Sequence, residues 1–284
     1  MHHIKHISII GLGLLGGSMA LALRKITGAQ IYGMDQNAHH LEKALSLGLI
    51  DEPIKLEELH QTDLVVVAIP VNKIAEVTAQ ILDQIQPNAL VFDTGSIKSS
   101  ICEALKSHPK RNQFIACHPI AGTEFSGPEA AFDTLFEGKK NIICDAYLSR
   151  PDLLEKALLL FEELHMKTDF MNSIEHDKHI AYVSHLSHIS SFMLGKTVME
   201  IEKDEESIFN MAGSGFESTV RLAKSSPTTW TPIFIENKAS ILKSLDEYMK
   251  NLKEFAELIE KDNFDALYRI MSDTNHIREV LDRH

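Results

Sequence analysis

The sequence predicts an α/β fold in which a mainly parallel sheet is followed by an all-helical half. Three observations carry that reading. From residue 4 to about residue 170, short β-branched runs alternate with longer segments of helical period, the pattern of βαβ units. The run Leu64-Val65-Val66-Val67-Ala68-Ile69 is apolar at every position, as a central strand covered by helices on both faces must be. After Asn172 the β-branched runs stop, and apolar residues recur at helical spacing through Tyr182, Leu186, Ile189 and Met193, then Ile241, Leu245 and Tyr248.

Taken in order, strands are expected at residues 7–10, 31–34, 64–69, 89–92, 114–117, 141–144 and 167–170, with Pro70 ending the third. The 284 residues divide into an N-terminal sheet domain, 1–171, and an all-helical C-terminal domain, 172–284. The helical half carries long amphipathic segments whose apolar faces exceed what one small bundle buries, so a homodimer formed through this domain is expected. No separate regulatory domain is expected after the helical half.

Composition narrows the class. With 44% apolar and 24% charged residues the chain is too hydrophobic for disorder, and a net charge of −12 argues against nucleic acid as a partner. Cys102, Cys117 and Cys144 lie far apart without Cys-x-x-Cys spacing, which excludes a disulfide framework and points to the reducing cytoplasm. Residues 7–23 carry no charge and follow Lys5, like the start of a secretory signal. Gly11, Gly13, Gly16 and Gly17 interrupt them, however, and Arg24 and Lys25 close them on the wrong side. No other stretch approaches a membrane span, so no membrane partner is expected.

The first motif, Gly11-Leu12-Gly13-Leu14-Leu15-Gly16, directly follows strand 7–10 and opens a helix near Leu14. Gly11 permits the tight turn, Gly13 lets a pyrophosphate approach, Gly16 lets helix and strand pack, and the helix N-terminus faces the anion. This is a Rossmann-like dinucleotide site. Asp35, 19 residues beyond Gly16, can accept from the adenosine ribose hydroxyls, and no arginine follows in Gln36-Asn37-Ala38, so NAD is favoured over NADP. Ala68, Ile69 and Pro70, closing the central strand, join the cofactor-binding set. The second motif, Asp93-Thr94-Gly95-Ser96-Ile97-Lys98, again passes from strand to helix. It puts Thr94, Gly95 and Ser96 in the crevice at the strand ends, where capping the helix and touching a ligand are compatible roles. His118 opens His118-Pro119-Ile120-Ala121-Gly122-Thr123-Glu124, just after strand 114–117, and is placed for base chemistry.

His185 and His188, three apart, share a helix face and with His176 and His179 form the densest histidine region. No metal is expected there, because neither a nearby cysteine nor a His-Glu-x-x-His motif supports zinc. His176 and His179 read as ordinary helix-surface residues, and His2, His3 and His6 as a polar terminus.

In order, these motifs together with Ser184-His185-Leu186-Ser187-His188, Gly215-Phe216, Thr219, Arg221 and Trp230 resemble the prephenate/arogenate dehydrogenase family over nearly the whole chain. The resemblance implies NAD-dependent oxidative decarboxylation of prephenate to 4-hydroxyphenylpyruvate on the route to tyrosine. His118 would take the ring hydroxyl proton, Ser96 would orient that hydroxyl and the nicotinamide, and Arg221 would bind a substrate carboxylate. Thr123, Glu124, His185, His188 and Trp230 would complete the substrate pocket. The dianionic substrate needs a locally positive site on an acidic protein, which Lys98, Arg221, nearby histidines and helix N-termini can supply. Glu217-Ser218 departs from the basic residue and aspartate that many members carry after Gly-Phe, so any ion-pair gate there is in doubt.

Arogenate or dual cyclohexadienyl specificity stays open, since the substrates differ only in the side chain. Tyrosine feedback, if it operates, would act at the active site through His188 or between subunits. A β-hydroxyacid or pyrroline-carboxylate reductase is disfavoured: the hydroxyacid enzymes place a lysine three residues after a helix asparagine, and Asn237 is followed at that spacing by Ser240. A non-catalytic NAD-sensing protein would be expected to lose His118 or Arg221.

Overall fold

The computed structural model describes residues 4–203 and 208–282; His2 and His3 therefore lie outside the described residues. The first half runs β1 (His6–Ile10), α1 (Leu14–Thr27), β2 (Gln30–Met34), α2 (Ala38–Ser46), β3 (Glu52–Pro53), β4 (Leu64–Val67), α3 (Val71–Gln84), β5 (Leu90–Asp93) and α4 (Ser99–Leu105). It continues with β6 (Phe114–Pro119), β7 (Lys140–Cys144), α5 (Pro151–Glu163) and β8 (Lys167–Met171). Among the described residues these strands form one eight-stranded sheet in the order β3-β2-β1-β4-β5-β6-β7-β8. All neighbours are parallel except β6 and β7.

The period-2 alternation of the strands divides the core. Ile7, Ile9, Leu64, Val66 and Phe92 pack with Met19, Ala20 and Leu23 of α1 and with Ala157, Leu160 and Phe161 of α5. Ile10, Val65, Val67 and Val91 face the opposite way onto Ile74, Ile81 and Leu82 of α3 and Ile101 and Leu105 of α4. The one hydroxyl that this alternation buries on β1, Ser8, is satisfied by Thr62 at 2.8 Å. Helix α1 ends at Gly28, whose left-handed φ of 68° lets its N–H reach the Arg24 carbonyl, and Arg24 and Lys25 sit in the last turn where the helix dipole favours cations.

The chain crosses from β3 on one side of β1 to β4 on the other. This reversal opens a crevice beyond the carboxyl ends of β1 and β4, where parallel α/β sheets bind their ligands.

After β8 the chain is helical throughout its described residues: α6 (Ser173–Ile180), a π turn (Ala181–His185), α7 (Leu186–Glu202), α8 (Ser214–Val220), α9 (Pro227–Glu236), α10 (Lys238–Glu260), α11 (Phe264–Thr274) and α12 (Ile277–Leu281). Two compact units result, residues 1–238 and 239–284, so α6 to α9 belong with the sheet. The second unit leaves Met249, Leu252, Ile259, Phe264, Tyr268 and Leu281 exposed, and Phe264 and Tyr268 stack on one another. Among the described residues no helix is long and apolar enough to cross a membrane.

The seven expected strands form, joined by the short, unexpected β3, and two of the seven differ by two residues in where they end. The central strand ends at Val67, two residues early; Ala68 donates its N–H to the Ile10 carbonyl at 2.7 Å and already turns towards α3. His118 lies inside β6 rather than on a loop after it. The antiparallel partner β7 keeps β6 extended through Pro119, pairing His118 with Ile142, after pairing to β5 has ceased at Ile115.

Candidate active site

The glycine turn is forced by close approach. Gly11 has a φ of +92°, and a Cβ there would lie 2.3 Å from the Ala68 carbonyl oxygen; a Cβ on Gly16 would lie 1.8 Å from that of Gly11. Gly13 is different, since a Cβ built on it meets nothing within 4 Å and no side chain caps α1. Open space thus faces the amide end of the helix, at Leu14 and Leu15, and fits a pyrophosphate. Asp35, immediately after β2, accepts from the N–H groups of Leu12 and Asn37, both at 2.8 Å, which ties it to the same turn. Asp35 Oδ2 also lies 3.5 Å from His40 Nδ1, and Oδ1 retains a lone pair for a ribose hydroxyl. Ile69 and Pro70 lead from β4 into α3 on the neighbouring rim of the crevice, Pro70 as the N-cap.

Where β6 outruns β5, side chains replace the missing ladder bonds. Asp93 accepts the Cys117 N–H at 3.0 Å while Lys98 Nζ donates to the Cys117 carbonyl at 2.6 Å, and the two side chains pair with each other with no solvent exposure. The expectation that Lys98 supplies positive charge to a ligand is therefore corrected. Its ammonium is spent in the core on Asp93 and on the backbone that carries His118. The reading of Thr94 or Ser96 as the cap of α4 also changes: Lys98 and Ser99 donate their N–H groups, each at 2.8 Å, to the carboxylate of Asp177 on α6. Thr94 is buried, with its N–H on the Val67 carbonyl, and Ser96 is half-buried.

That carboxylate begins a chain of imidazoles. His176 Nδ1 lies 2.8 Å from Asp177 Oδ1, and His176 Nε2 lies 2.8 Å from His118 Nδ1. An ionised carboxylate only accepts, so His176 donates its Nδ1–H to Asp177; in the neutral form of His176 its bare Nε2 then accepts from His118 Nδ1–H. His118 is left with a lone pair on Nε2. Burial holds His118 well below the ordinary histidine range, reinforced by His176, Lys98 and His185. Burial opposes ionisation of Asp177, but the His176 N–H and the backbone N–H groups of Lys98 and Ser99 outweigh it and keep the carboxyl below its ordinary value.

His176, expected on the helix surface, is only 2% exposed, while His179 is exposed as expected. A signal was present: the buried residues Ser173, His176, Asp177 and Ile180 follow i, i+3, i+4, i+7, the spacing of a core-facing stripe occupied by polar groups.

The helical wall holds three more of the expected residues. His188 stacks on Trp230, ring centroids 3.4 Å apart, and His185 meets the same indole edge-on at 6.0 Å. His185 sits in the π turn, a one-residue register change of the kind that concentrates at functional sites. Burial lowers His188, and the neighbouring Arg221 charge adds to this. Arg221 is exposed and engages no ion pair among the described residues, whereas Glu217 reaches Lys224 at 3.8 Å. Thr123 is exposed, its hydroxyl accepting from the Phe125 N–H, and Glu124 is half-exposed on the same loop; neither contacts the histidines among the described residues.

Burial pushes His185 down to about 4. Below 6.5 the unfolded chain then binds a proton that the folded chain refuses, so stability is full above pH 6.5 and falls towards pH 4. The His185 share is about 3 kcal/mol. Urea unfolding at fixed protein concentration should show this decline, and His185→Gln should make it shallower; equal slopes in both proteins would refute the assignment.

Comparison with known proteins places this architecture. A family profile described as "Prephenate dehydrogenase, nucleotide-binding domain" matches residues 19–169, and one described as "Prephenate dehydrogenase, dimerization domain" matches residues 172–273. The chain is 28% identical to a cyclohexadienyl dehydrogenase of Zymomonas mobilis, covering 98% of this chain and 96% of the relative. It is 30% identical to a prephenate dehydrogenase of Lactococcus lactis, covering 99% and 78%. The crystal structure of prephenate dehydrogenase from Aquifex aeolicus, in complex with hydroxyphenyl propionate and NAD+, superposes with a TM-score of 0.90 at 31% identity, covering 98% of each chain. With a Rossmann-like crevice, a buried histidine relay beside it and both profiles spanning its two halves, the chain is an oxidoreductase that belongs to the prephenate dehydrogenase family.

Proposed function

We propose that the chain catalyses the NAD-dependent oxidative decarboxylation of prephenate to 4-hydroxyphenylpyruvate. The observation that carries this reading is the Asp177-His176-His118 relay of hydrogen bonds, which ends on the His118 imidazole in β6 and would present its Nε2 as the base. Gly11, Gly13 and Gly16, with the amide end of α1, would hold the pyrophosphate, and Asp35 the adenosine ribose; a 2′-phosphate would meet the Asp35 carboxylate, which favours NAD. The NAD+ bound to the Aquifex protein supports the same choice. When bound, NAD supplies the hydride acceptor: the carbinol C–H bond breaks towards the nicotinamide, the ring carboxylate leaves as CO2, and its bonding pair completes the aromatic ring.

His118 Nε2 takes the proton of the carbinol hydroxyl as the hydride leaves and returns it to the phenolate oxygen once CO2 is lost, so the reaction releases no net proton. Ser96, half-buried after β5 and free of capping duty, orients the hydroxyl. Arg221 binds a substrate carboxylate, with His185, His188, Trp230, Thr123 and Glu124 lining the remainder. The functional boundary falls at Asn172, giving an NAD-binding domain, 1–171, and a substrate-binding and dimerisation domain, 172–284. Exposed Met193, Leu194, Met199 and Ile201 on α7, and the exposed apolar residues of the second unit, support a homodimer. Free, buried Cys102, Cys117 and Cys144 support a cytoplasmic setting.

The test is NADH formation from purified protein with prephenate, then arogenate, and with NADP in place of NAD. NADH and 4-hydroxyphenylpyruvate from prephenate would support the reading; turnover confined to arogenate would replace the substrate; no turnover with either would remove the activity. In the same assay Arg221→Ala should raise the KM for substrate by about 10- to 100-fold, the loss of one charge-assisted pair. An unchanged KM would take Arg221 out of the pocket.

A further inference from the structure

We infer that Asn237 is a positioning residue whose amide fixes His185 as the tautomer bearing its proton on Nε2, so that a buried N–H donor is held for an oxygen of the bound substrate. The inference rests on the substrate pocket proposed above and adds a residue to it.

Asn237 closes α9, its backbone N–H bonded to carbonyls of that helix, and its side chain is buried. The atom 2.6 Å from the Asp177 carbonyl oxygen must be the amide nitrogen, because turning the amide over would set oxygen against oxygen. That nitrogen has a second hydrogen and no lone pair, and His185 Nδ1 lies 3.3 Å away. Nδ1 can therefore only accept. A neutral imidazole that accepts at Nδ1 carries its proton on Nε2, and burial keeps His185 neutral.

His185 Nε2 is fully enclosed and has no hydrogen-bond partner. A buried donor left unpaired is costly, and a ligand oxygen is one partner that would complete it. Trp230 meets His185 edge-on, and His188 stacks on the same indole. The ligand atom such a donor selects is a carboxylate or keto oxygen; an ammonium would bring donor against donor. Asp177 thus sets two histidines in opposite senses. Through its carboxylate and His176 it leaves His118 with a bare nitrogen, and through its backbone carbonyl and Asn237 it gives His185 a protonated one.

The tautomer can be read directly by long-range 1H–15N correlation on the whole enzyme labelled with 15N-histidine, free of ligand, with His185 assigned by its loss in His185→Gln. At pH 7 the wild-type protein should show His185 protonated on Nε2 alone. Asn237→Ala should populate the other tautomer and raise the KM for prephenate by about 10- to 100-fold while kcat falls less than about threefold. Adding 4-hydroxyphenylpyruvate with NAD should shift the Nε2 proton of the wild type. A wild-type His185 protonated on Nδ1, or doubly protonated, would overturn the inference, as would a tautomer unchanged in Asn237→Ala. If that variant fails to fold, the wild-type spectrum alone decides. A protein with the Nε2 tautomer but no turnover of prephenate would uphold the positioning role and count against the proposed substrate.

Discussion

His118→Asn is expected to slow turnover by about 10²- to 10⁴-fold while NAD affinity changes less than about threefold. Asparagine is smaller than histidine but polar, and its amide can still donate an N–H towards His176 Nε2. What it cannot do is take up a proton at the atom facing the crevice. The glycine turn and Asp35 are on other strands and lose nothing. The pH profile sharpens the test, because burial keeps His118 neutral far below the ordinary histidine range and the base is already in its working form at pH 6. The kcat/KM of the wild-type protein should therefore be nearly flat from pH 6 to 9 as far as this group is concerned, with its loss displaced to more acidic pH. Turnover of the variant within tenfold of wild type, with the fold intact, would remove His118 from the chemistry; a wild-type limb at pH 6.5 would contradict the buried, neutral state.

The parts of the molecule that could be read in the sequence were those fixed by local physics. Strands such as β4 are uniformly apolar because helices cover both faces, and Gly11 and Gly16 are dictated by backbone contacts within one βα turn and its neighbour. The parts that could not be read depend on partners far along the chain. β3 is only Glu52 and Pro53, both exposed, and only pairing with β2 makes it a strand. β6 extends through His118 because β7 approaches from the other side with the opposite direction, which no propensity within residues 114–119 encodes. Lys98 reads as a cation near a crevice until Asp93 and the unpaired backbone of buried Cys117 are seen to need it. His176 and Asp177 look like helix-surface polar residues because burial of a polar stripe pays only when its partners, here His118 and the amide end of α4, arrive from 58 and 79 residues earlier in the chain. Asn237 carries no local signal at all; it weighed in the sequence only through the lysine that does not follow it.

Asp177→Leu is expected to cost about 3 to 5 kcal/mol of stability and to lower kcat by about 10²- to 10³-fold in the fraction that folds. The carboxylate receives three donors: His176 Nδ1–H and the Lys98 N–H on one oxygen, the Ser99 N–H on the other. Leucine is larger than aspartate, and it leaves two backbone N–H groups at the start of α4 and one imidazole N–H without acceptors, each a desolvation penalty of about 1 to 3 kcal/mol. The catalytic loss has a separate cause. Without an acceptor at Nδ1, His176 is free to move its proton to Nε2; it then donates to His118 Nδ1, and the proton of His118 shifts onto the nitrogen that has to be bare. Asp177→Asn should be milder in both respects, because its single oxygen in the Oδ1 position still serves His176 and Lys98 and sacrifices only the bond to Ser99. The ordering of kcat, wild type above Asn above Leu, measured on protein verified as folded by circular dichroism, tests the relay. Equal kcat for the Leu variant and wild type would reduce Asp177 to a helix cap and leave the tautomer of His118 to be set by something other than this chain of hydrogen bonds.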